Sequence, residues 1–177
     1  MVKSEFRNKY LDIRRNISNK KEKSLIIKDK VLSLLSKYQV IGVYASMKDE
    51  VSTDELIIDL LNESKVVVLP KIEEDHLIFY QISSLDELKP QGKYQIREPI
   101  NHNRPKQPLE AIIVPGISFD MKKNRLGFGK AYYDKYLSNK DIFKIGVCFD
   151  ELIVDTLPTD KWDIKLDIVV SDKRDVK

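Results

Sequence analysis

The sequence has few of the residues that build redox and metal centres. Its 177 residues include one cysteine, Cys148, and two histidines, His76 and His102. A single cysteine excludes an internal disulfide and any zinc or iron–sulfur site made of several cysteines, and two histidines argue against a histidine-rich metal centre. No Gly-x-Ser-x-Gly motif is present, so nucleophilic acyl chemistry is not indicated either. Cys148 lies in an apolar run, so we expect a buried thiol, and we expect both histidines at loops or strand edges.

The sequence also lacks a strong charge excess and a long apolar segment. It has 31 Lys and Arg against 28 Asp and Glu, a net charge of +3, which is too balanced for a dedicated nucleic-acid binder. No apolar run approaches the roughly 18 residues of a membrane span, and the N-terminus has the pattern of a charged helix, not of a signal peptide. We therefore expect one cytoplasmic domain over residues 1–177, monomeric and without a membrane or nucleic-acid partner.

Apolar runs of strand length alternate with helical patterns along the chain. Continuous apolar strands are expected at residues 40–44, 66–69, 111–114, 144–149 and 167–170, with a more exposed, alternating strand at 76–81. Helices are expected up to about residue 16, after a cap at Ser18, over 54–61 and over 130–137. This alternation predicts an α/β fold whose mainly parallel sheet is covered on both faces.

Local signals give finer expectations about where elements begin and end. The second helix, capped by Ser18, would bury a face made of Leu25, Ile26, Val31, Leu34 and Leu35. Ser52 and Glu55 form a capping-box pattern before the third helix. Pro70 is expected to end the second strand, and residues 89–110, which contain four of the seven prolines, to form a long ordered loop.

Polar and glycine residues are concentrated directly after the expected strands. In a parallel sheet, ligands bind outside the carboxyl ends of the strands. The segments that follow the strands here are residues 46–50, 115–129 and 149–151. We therefore expect the ligand site to be built from these segments.

The most informative stretch runs from Arg125 to Asp134 and passes from a loop into a helix. Gly127 and Gly129 let backbone N–H groups approach an anion, and the helix N-terminus adds partial positive charge. Arg125 and Lys130 flank the glycines, and Asp134, one turn after Lys130, would face the same way, as a phosphate-bound Mg²⁺ requires. The pattern is neither a Walker loop nor a full dinucleotide fingerprint, so a glycine-rich connector closed by an ion pair stays open as an alternative.

The first helix carries a row of cations beside its apolar face. At about 100° per residue, Lys3, Arg7 and Arg14 fall on one side of the helix. Cationic side chains that cover a buried face explain this row as well as a ligand contact does. Residues 1–37 hold 11 Lys and Arg against 4 Asp and Glu, but no aromatic stacking platform for nucleic acid accompanies them.

Acidic and aromatic residues complete the candidates. Glu50 follows the first strand, and Asp163 and Asp167 precede the last one; a turn carboxylate and solvated loop acids are the simpler alternatives.

Tyr132 and Tyr133 adjoin the glycine loop. Tyr133 pairs with Leu137 at i+4 and is expected in the core, while Tyr132 could be a floor for a flat ligand or ordinary packing.

At these residues the sequence resembles the 5-formyltetrahydrofolate cyclo-ligase (5,10-methenyltetrahydrofolate synthetase) family, nearly end to end. Residues 114–120 followed by 125–134 are similar to the family signature. Residues 3–7 resemble its N-terminal Lys-x-x-Leu-Arg, 49–53 its glutamate segment, 94–99 its Gly-Ile-x-Glu-Pro loop and 162–167 its C-terminal aspartate motif. Three positions depart from the pattern: Phe6 replaces Leu, Ala131 stands where a third glycine is usual, and Trp162 replaces a residue that is often polar.

The resemblance implies a fold and a set of site residues. The fold is a three-layer α/β/α sandwich with a mainly parallel central sheet. ATP contacts are implied at Lys3, Arg7, Arg125, Leu126, Gly127, Phe128, Gly129, Lys130, Ala131, Tyr132 and Tyr133. Folate contacts are implied at Glu50, Phe128, Gly129, Lys130, Ala131 and Tyr132, and Mg²⁺ ligation at Asp134 and Asp163. Arg125 and Lys130 are the expected catalytic residues.

The implied reaction uses ATP and Mg²⁺ to convert the small-molecule substrate 5-formyltetrahydrofolate to 5,10-methenyltetrahydrofolate, ADP and phosphate. Two other classes compete with this reading. A phosphometabolite sensor on the same sheet type would bind its ligand at the glycine loop without turnover. A nucleic-acid binder acting through residues 1–37 would show steep salt-dependent DNA affinity.

Overall fold

A computed structural model describes all residues, 1–177. The four helices are α1 (Lys3–Arg15), α2 (Lys20–Leu35), α3 (Asp54–Asn62) and α4 (Tyr132–Leu137). The twelve strands are β1 (Val40–Gly42), β2 (Val66–Glu73), β3 (His76–Ile82), β4 (Leu88–Gln91), β5 (Ile96–Pro99), β6 (Ala111–Val114), β7 (Ser118–Asp120), β8 (Arg125–Leu126), β9 (Phe143–Val147), β10 (Ile153–Val154), β11 (Ile168–Val170) and β12 (Asp175–Val176).

Seven strands form the central sheet, in the order β12-β11-β9-β6-β1-β2-β3. The five inner strands are parallel, and β3 and β12 add antiparallel edges. The inner strands are apolar throughout because helices cover the sheet, and the buried side chains form one continuous hydrophobic core. This confirms the predicted α/β/α sandwich with a mainly parallel sheet. No helix combines the length and apolarity needed to cross a membrane.

Pro70 does not end the second strand as predicted, because β2 continues to Glu73. The neighbouring strand β1 pairs only with the first residues of β2, up to Val68. From there on, β3 is the only partner of β2. A residue without an N–H is tolerated where one side of a strand is unpaired, so Pro70 removes no hydrogen bond between strands.

The predicted loop at 89–110 is wrong in its first part, where β4 and β5 form a two-stranded hairpin. Pro90 and Pro99 lie within these strands. Both strands of a two-stranded hairpin are edges, so a missing N–H leaves no ladder bond broken. Proline content alone therefore overstated the irregular part of this segment.

The predicted buried face of α2 is wrong at Leu25 and Ile26, which are 37% and 47% exposed. The helix buries Ser24, Ile27, Val31 and Leu35 instead, and its N-cap is Asn19, not Ser18. Ser24 turns inward because its Oγ accepts a hydrogen bond from the Ser52 N–H at 3.0 Å. A polar side chain whose partner lies 28 residues away cannot be placed by hydrophobic periodicity.

The predicted capping box before α3 is also absent, because Thr53 occupies the N-cap position. The Thr53 hydroxyl donates to the Tyr44 carbonyl oxygen at 2.6 Å and accepts from the Ser46 N–H at 3.2 Å. These bonds fasten the start of α3 to the segment that leaves β1. The N-cap residue Thr53 therefore holds both ends of the segment that carries Glu50 close together.

Candidate active site

The segments after β1, β6 and β9 meet at one edge of the sheet, as the parallel topology predicts. They enclose a cavity of about 10 Å³, just enough for one water molecule. Its lining includes side chains from all three segments and from α1: Arg14, Tyr44, Glu50, Val51, Pro115, Gly116, Val147, Cys148, Phe149 and Leu152. Of the site residues predicted from the sequence, only Glu50 lines this cavity.

The glycine loop between β8 and α4 adopts a backbone that favours glycine. Gly129 has φ of 101°, which L-residues with side chains rarely adopt. Ala131 is the N-cap of α4 and is left-handed, with φ of 57°. Because α4 begins only at Tyr132, Lys130 lies outside the helix, and the predicted one-turn relation between Lys130 and Asp134 is wrong. Lys130 is exposed and forms no ion pair or side-chain hydrogen bond.

A buried ion pair closes this loop. The Arg125 Nη2 donates to Asp134 Oδ2 at 3.1 Å, and the two side chains are only 7% and 14% exposed. Arg125 also donates to the Pro115 carbonyl oxygen at 3.1 Å and lies 5.7 Å from the Tyr133 ring centroid. The second Asp134 oxygen accepts the Ile164 N–H at 3.0 Å. Arg125 and Asp134 thus tie β8, α4 and the segment after Asp163 into one unit.

The start of α1 joins the same unit through Lys3. Its Nζ donates to Asp163 Oδ2 at 2.7 Å and to Asp160 Oδ2 at 2.6 Å. Partial burial lowers the pKa of Lys3, but the hydrogen bonds to both aspartates outweigh it and the net pKa is raised. The sequence analysis did not identify Asp160. Its position three residues before Asp163 was the available signal.

Arg7 contacts the glycine loop directly. Its Nε donates to the Gly127 carbonyl oxygen at 2.7 Å. A Cβ built on Gly129 would lie 3.5–3.7 Å from the atoms of the Arg7 guanidinium. The first helix therefore presents Arg7 to the loop and Lys3 to Asp160 and Asp163, so these cations do more than cover an apolar face.

Glu50 is a buried carboxylate at the strand-end cavity. One of its oxygens accepts the Met47 N–H at 2.8 Å, and the other lies 4.0 Å from Arg14 Nη1. Burial raises the pKa of Glu50, and the Met47 N–H and the Arg14 charge only partly offset this. The Tyr44 hydroxyl at the same cavity donates to the Val51 carbonyl oxygen at 2.9 Å. Glu50 is therefore more than a solvated turn carboxylate.

The aromatic residues of the loop differ in exposure. Tyr132 and Tyr133 are half-buried and pack against the core. Burial raises the pKa of Tyr133 far above its ordinary value, so its hydroxyl stays neutral. Phe128 is 48% exposed, and its ring centroid lies 5.7 Å from Arg14 Cζ. Phe128 is thus the exposed aromatic surface beside the glycines.

Asp134 and Asp163 have the right donor chemistry for a hard cation. Their segments adjoin, because the Ile164 N–H bonds Asp134. Nowhere in the chain do three or more His, Cys, Asp or Glu side chains form a metal cage. Mg²⁺ is commonly held by one or two carboxylates together with substrate phosphates and water. Asp134 and Asp163 fit such a site if their present partners, Arg125 and Lys3, pair with phosphate oxygens instead.

A larger cavity of about 600 Å³ shares no lining residue with the strand-end cavity. It lies between β3, the segment before β6 and the end of α4, with Phe79, Leu109 and Tyr136 among its apolar walls. Arg104 and Lys106 also line it. No motif of the sequence indicated this cavity.

Comparison with known proteins gives consistent matches along the chain. A sequence model of the 5-formyltetrahydrofolate cyclo-ligase family matches residues 1–172. The 5-formyltetrahydrofolate cyclo-ligase of Saccharomyces cerevisiae is 35% identical over 73% of this chain and 74% of its own, and that of Haemophilus influenzae is 33% identical over 78% and 80%. The NMR structure of Aquifex aeolicus 5,10-methenyltetrahydrofolate synthetase is similar with a TM-score of 0.80 and 34% identity, covering 99% of this chain and 92% of that one.

Proposed function

Because the chain belongs to the 5-formyltetrahydrofolate cyclo-ligase family, we propose that it converts 5-formyltetrahydrofolate to 5,10-methenyltetrahydrofolate, using ATP with Mg²⁺ and releasing ADP and phosphate. One observation carries the proposal furthest. Three distant parts of the chain supply Lys3 and Arg7, Arg125 and Asp134, and Asp163, and hydrogen bonds connect these parts beside the glycine loop. Cationic side chains, carboxylates and the backbone N–H groups of a glycine loop are the groups that bind a magnesium triphosphate.

The proposed chemistry activates an unreactive oxygen. The formyl group on N5 is an amide, so its oxygen is a poor leaving group. Attack of this oxygen on the γ-phosphorus of ATP expels ADP and forms an iminophosphate. The N10 lone pair then attacks the formyl carbon, the N10 proton is lost, and phosphate leaves as the ring closes. No side-chain nucleophile takes part, which agrees with the absence of a Ser or Cys paired with histidine.

The protein contributes positioning and charge neutralisation. Arg125 and Lys130 act on the transferring phosphoryl group, and Lys3 and Arg7 offset the remaining triphosphate charge. Lys130 is exposed and unpaired, so it is free to turn to an incoming phosphate. Arg125 and Lys3 must exchange aspartate partners for phosphate oxygens. Asp134 and Asp163 would then hold Mg²⁺, which when bound withdraws charge from the phosphates.

The folate would occupy the strand-end cavity and the adjoining loop. Ionised Glu50 offers acceptor oxygens to N–H groups of the pterin. Phe128 and Tyr132 offer aromatic surface to the flat ring. The cavity of about 10 Å³ is far too small for a bicyclic ring. Folate binding therefore requires the loop that carries Phe128 to move.

The decisive experiment is turnover by the purified protein. ATP, Mg²⁺ and 5-formyltetrahydrofolate are mixed with the enzyme, and the near-ultraviolet absorbance of the methenyl product is followed together with ADP. We expect one ADP per methenyl product and no rapid ATP hydrolysis without folate, since the carboxylates nearest the loop, Asp134 and Asp163, pair with cations and are the proposed metal ligands. Binding of either ligand without product would contradict the proposal and favour a sensor. Rapid ATP hydrolysis without folate would argue against the coupled mechanism.

A further inference from the structure

Arg14 is a buried cation whose hydrogen bonds are incomplete. Its side chain is 7% exposed, and its Nε and Nη1 atoms are buried without a hydrogen-bond partner. The nearest opposite charge, Glu50 Oε1, is 4.0 Å away, which is too long for a hydrogen bond. Buried guanidinium groups are normally fully paired, because an unpaired buried donor is costly. The Arg14 N–H groups without a partner are therefore available to a ligand that enters the cavity lined by Arg14.

We infer that Arg14 is a substrate-binding residue that reads the carbonyl edge of the pterin ring while Glu50 reads the adjacent N–H edge. The inference rests on the proposed function. A pterin presents an exocyclic amino group, a ring N–H and a carbonyl oxygen side by side. An ionised carboxylate only accepts hydrogen bonds and a guanidinium only donates them. Glu50 and Arg14 thus offer the complementary pattern from neighbouring positions.

The surroundings of Arg14 agree with a ligand-binding role. Arg14 and Glu50 both line the strand-end cavity, where Arg14 Nη1 lies 4.0 Å from Glu50 Oε1. The half-exposed ring of Phe128 lies over the Arg14 guanidinium. Phe128 belongs to the glycine loop, so a shift of this loop would uncover Arg14 to the ring. The same movement is required to enlarge the cavity.

Arg14 also supports the ionised form of Glu50. The groups that face Glu50 are the Arg14 guanidinium from α1, the Tyr44 hydroxyl and Met47 N–H after β1, and the Tyr133 hydroxyl from α4; the Cys148 thiol lines the same cavity. Both tyrosines and the thiol have raised pKa values and are neutral. Arg14 is therefore the only positive charge among these groups. Removing Arg14 should therefore raise the pKa of Glu50 further. As the pH falls, Glu50 would then take up its proton, and folate binding would weaken, at a higher pH than in the wild type.

The test compares Arg14→Met, which removes the charge and keeps the bulk, with Arg14→Lys and with Arg15→Met. Arg15 is the adjacent exposed residue and has no side-chain partner, so its variant is the matched control. For Arg14→Met we expect the KM for 5-formyltetrahydrofolate to rise about 10- to 100-fold, as for loss of a charge-assisted hydrogen bond. The KM for ATP should stay unchanged. Arg14→Lys should recover part of the loss, and Arg15→Met should behave as the wild type.

Two further measurements separate this inference from a structural role and from the proposed function. An NMR titration of the Glu50 carboxyl needs no turnover, and we expect a higher pKa in Arg14→Met than in the wild type. The lower limb of the pH profile for folate KM should shift to higher pH with it. An unchanged folate KM in Arg14→Met, or in Arg14→Lys if the former does not fold, would overturn the inference. A wild type without turnover would overturn the proposed function, and wild-type folate binding by Arg14→Met, measured without ATP, would still reject the role of Arg14.

Discussion

Ala131 holds a backbone conformation that costs an L-residue free energy. Its φ is 57°, at the N-cap of α4, where the resemblance places a glycine. The left-handed region costs a residue with a Cβ roughly 1 kcal/mol or more relative to glycine. The site therefore retains local strain beside the loop that is proposed to bind phosphate.

We expect Ala131→Gly to raise the free energy of unfolding by about 1 kcal/mol, because it relieves this strain. Urea unfolding followed by circular dichroism measures the change. Gly92→Ala is the matched control: Gly92 has φ of 68° and open space around a built Cβ, so its variant should lose a similar amount. A destabilised Ala131→Gly would show that the methyl group of Ala131 contributes packing that exceeds the strain.

Asp134 combines a structural bond with the proposed metal role. We expect Asp134→Asn to lower turnover by orders of magnitude at limiting Mg²⁺, because the amide lacks the charge that holds a hard cation. The asparagine N–H₂ would also face Arg125 in place of a carboxylate oxygen. The free energy of unfolding should therefore fall by about 1–3 kcal/mol, since a buried charge-assisted hydrogen bond is lost.

The Mg²⁺ dependence of turnover and a urea unfolding curve measure these two effects separately. Asp160→Asn is a suitable comparison, because Asp160 pairs with Lys3 as Asp134 pairs with Arg125, but is more exposed and is not a proposed ligand. Near-normal turnover of Asp134→Asn at limiting Mg²⁺ would show the metal assignment to be wrong.

At the scale of elements, α1 has two functions that different side chains perform. Arg7 reaches the glycine loop, whereas Phe6 is half-buried and stacks on Tyr10 with ring centroids 5.9 Å apart. We expect Arg7→Ala to raise the KM for ATP about 10- to 150-fold, as a charge-assisted contact is lost, and to leave the KM for folate unchanged. Steady-state kinetics with each substrate varied in turn measures this split.

Phe6→Ala provides the opposite pattern on the same helix. It should reduce the free energy of unfolding by about 1–3 kcal/mol, less than for a fully buried ring, and leave the KM for ATP unchanged. If Arg7→Ala instead lowered the melting temperature and kept normal ATP affinity, α1 would be a purely structural element.

At the scale of the whole molecule, the fold buries the single cysteine, Cys148, away from solvent. Cys148 is 2% exposed, its N–H bonds the Val170 carbonyl oxygen within the central sheet, and burial raises the pKa of its thiol. We expect the native protein to react with a thiol reagent at least about 1,000-fold more slowly than the urea-unfolded chain, because access requires global opening. Ser138→Cys, at an exposed position, should react rapidly in the native state. Rapid native labelling at Cys148 would reveal local opening of the strand-end cavity.

Several features were predictable because their causes are local. Continuous apolar runs place the inner strands of the sheet, since a strand covered on both faces has no polar side. The alternation of strands and helices then predicts a parallel sheet and a site at its carboxyl edge, where the segments 46–50 and 115–129 do meet. Gly129 and the row formed by Lys3, Arg7 and Arg14 were visible as patterns, and of that row Arg7 bonds the loop.

Other features depend on partners that no local pattern contains. Ser24 points inward because Ser52 lies opposite, and Pro70 is tolerated because β1 ends before it. Asp160 acquires a role only where the chain brings it to Lys3. Local patterns were enough to predict the inner parallel strands and the residue types of the proposed site, but not the β4–β5 hairpin. That Arg14 is a buried cation beside Glu50 emerges from the folded chain alone, because burial and charge pairing are set by segments that meet in space and not by neighbours in the chain.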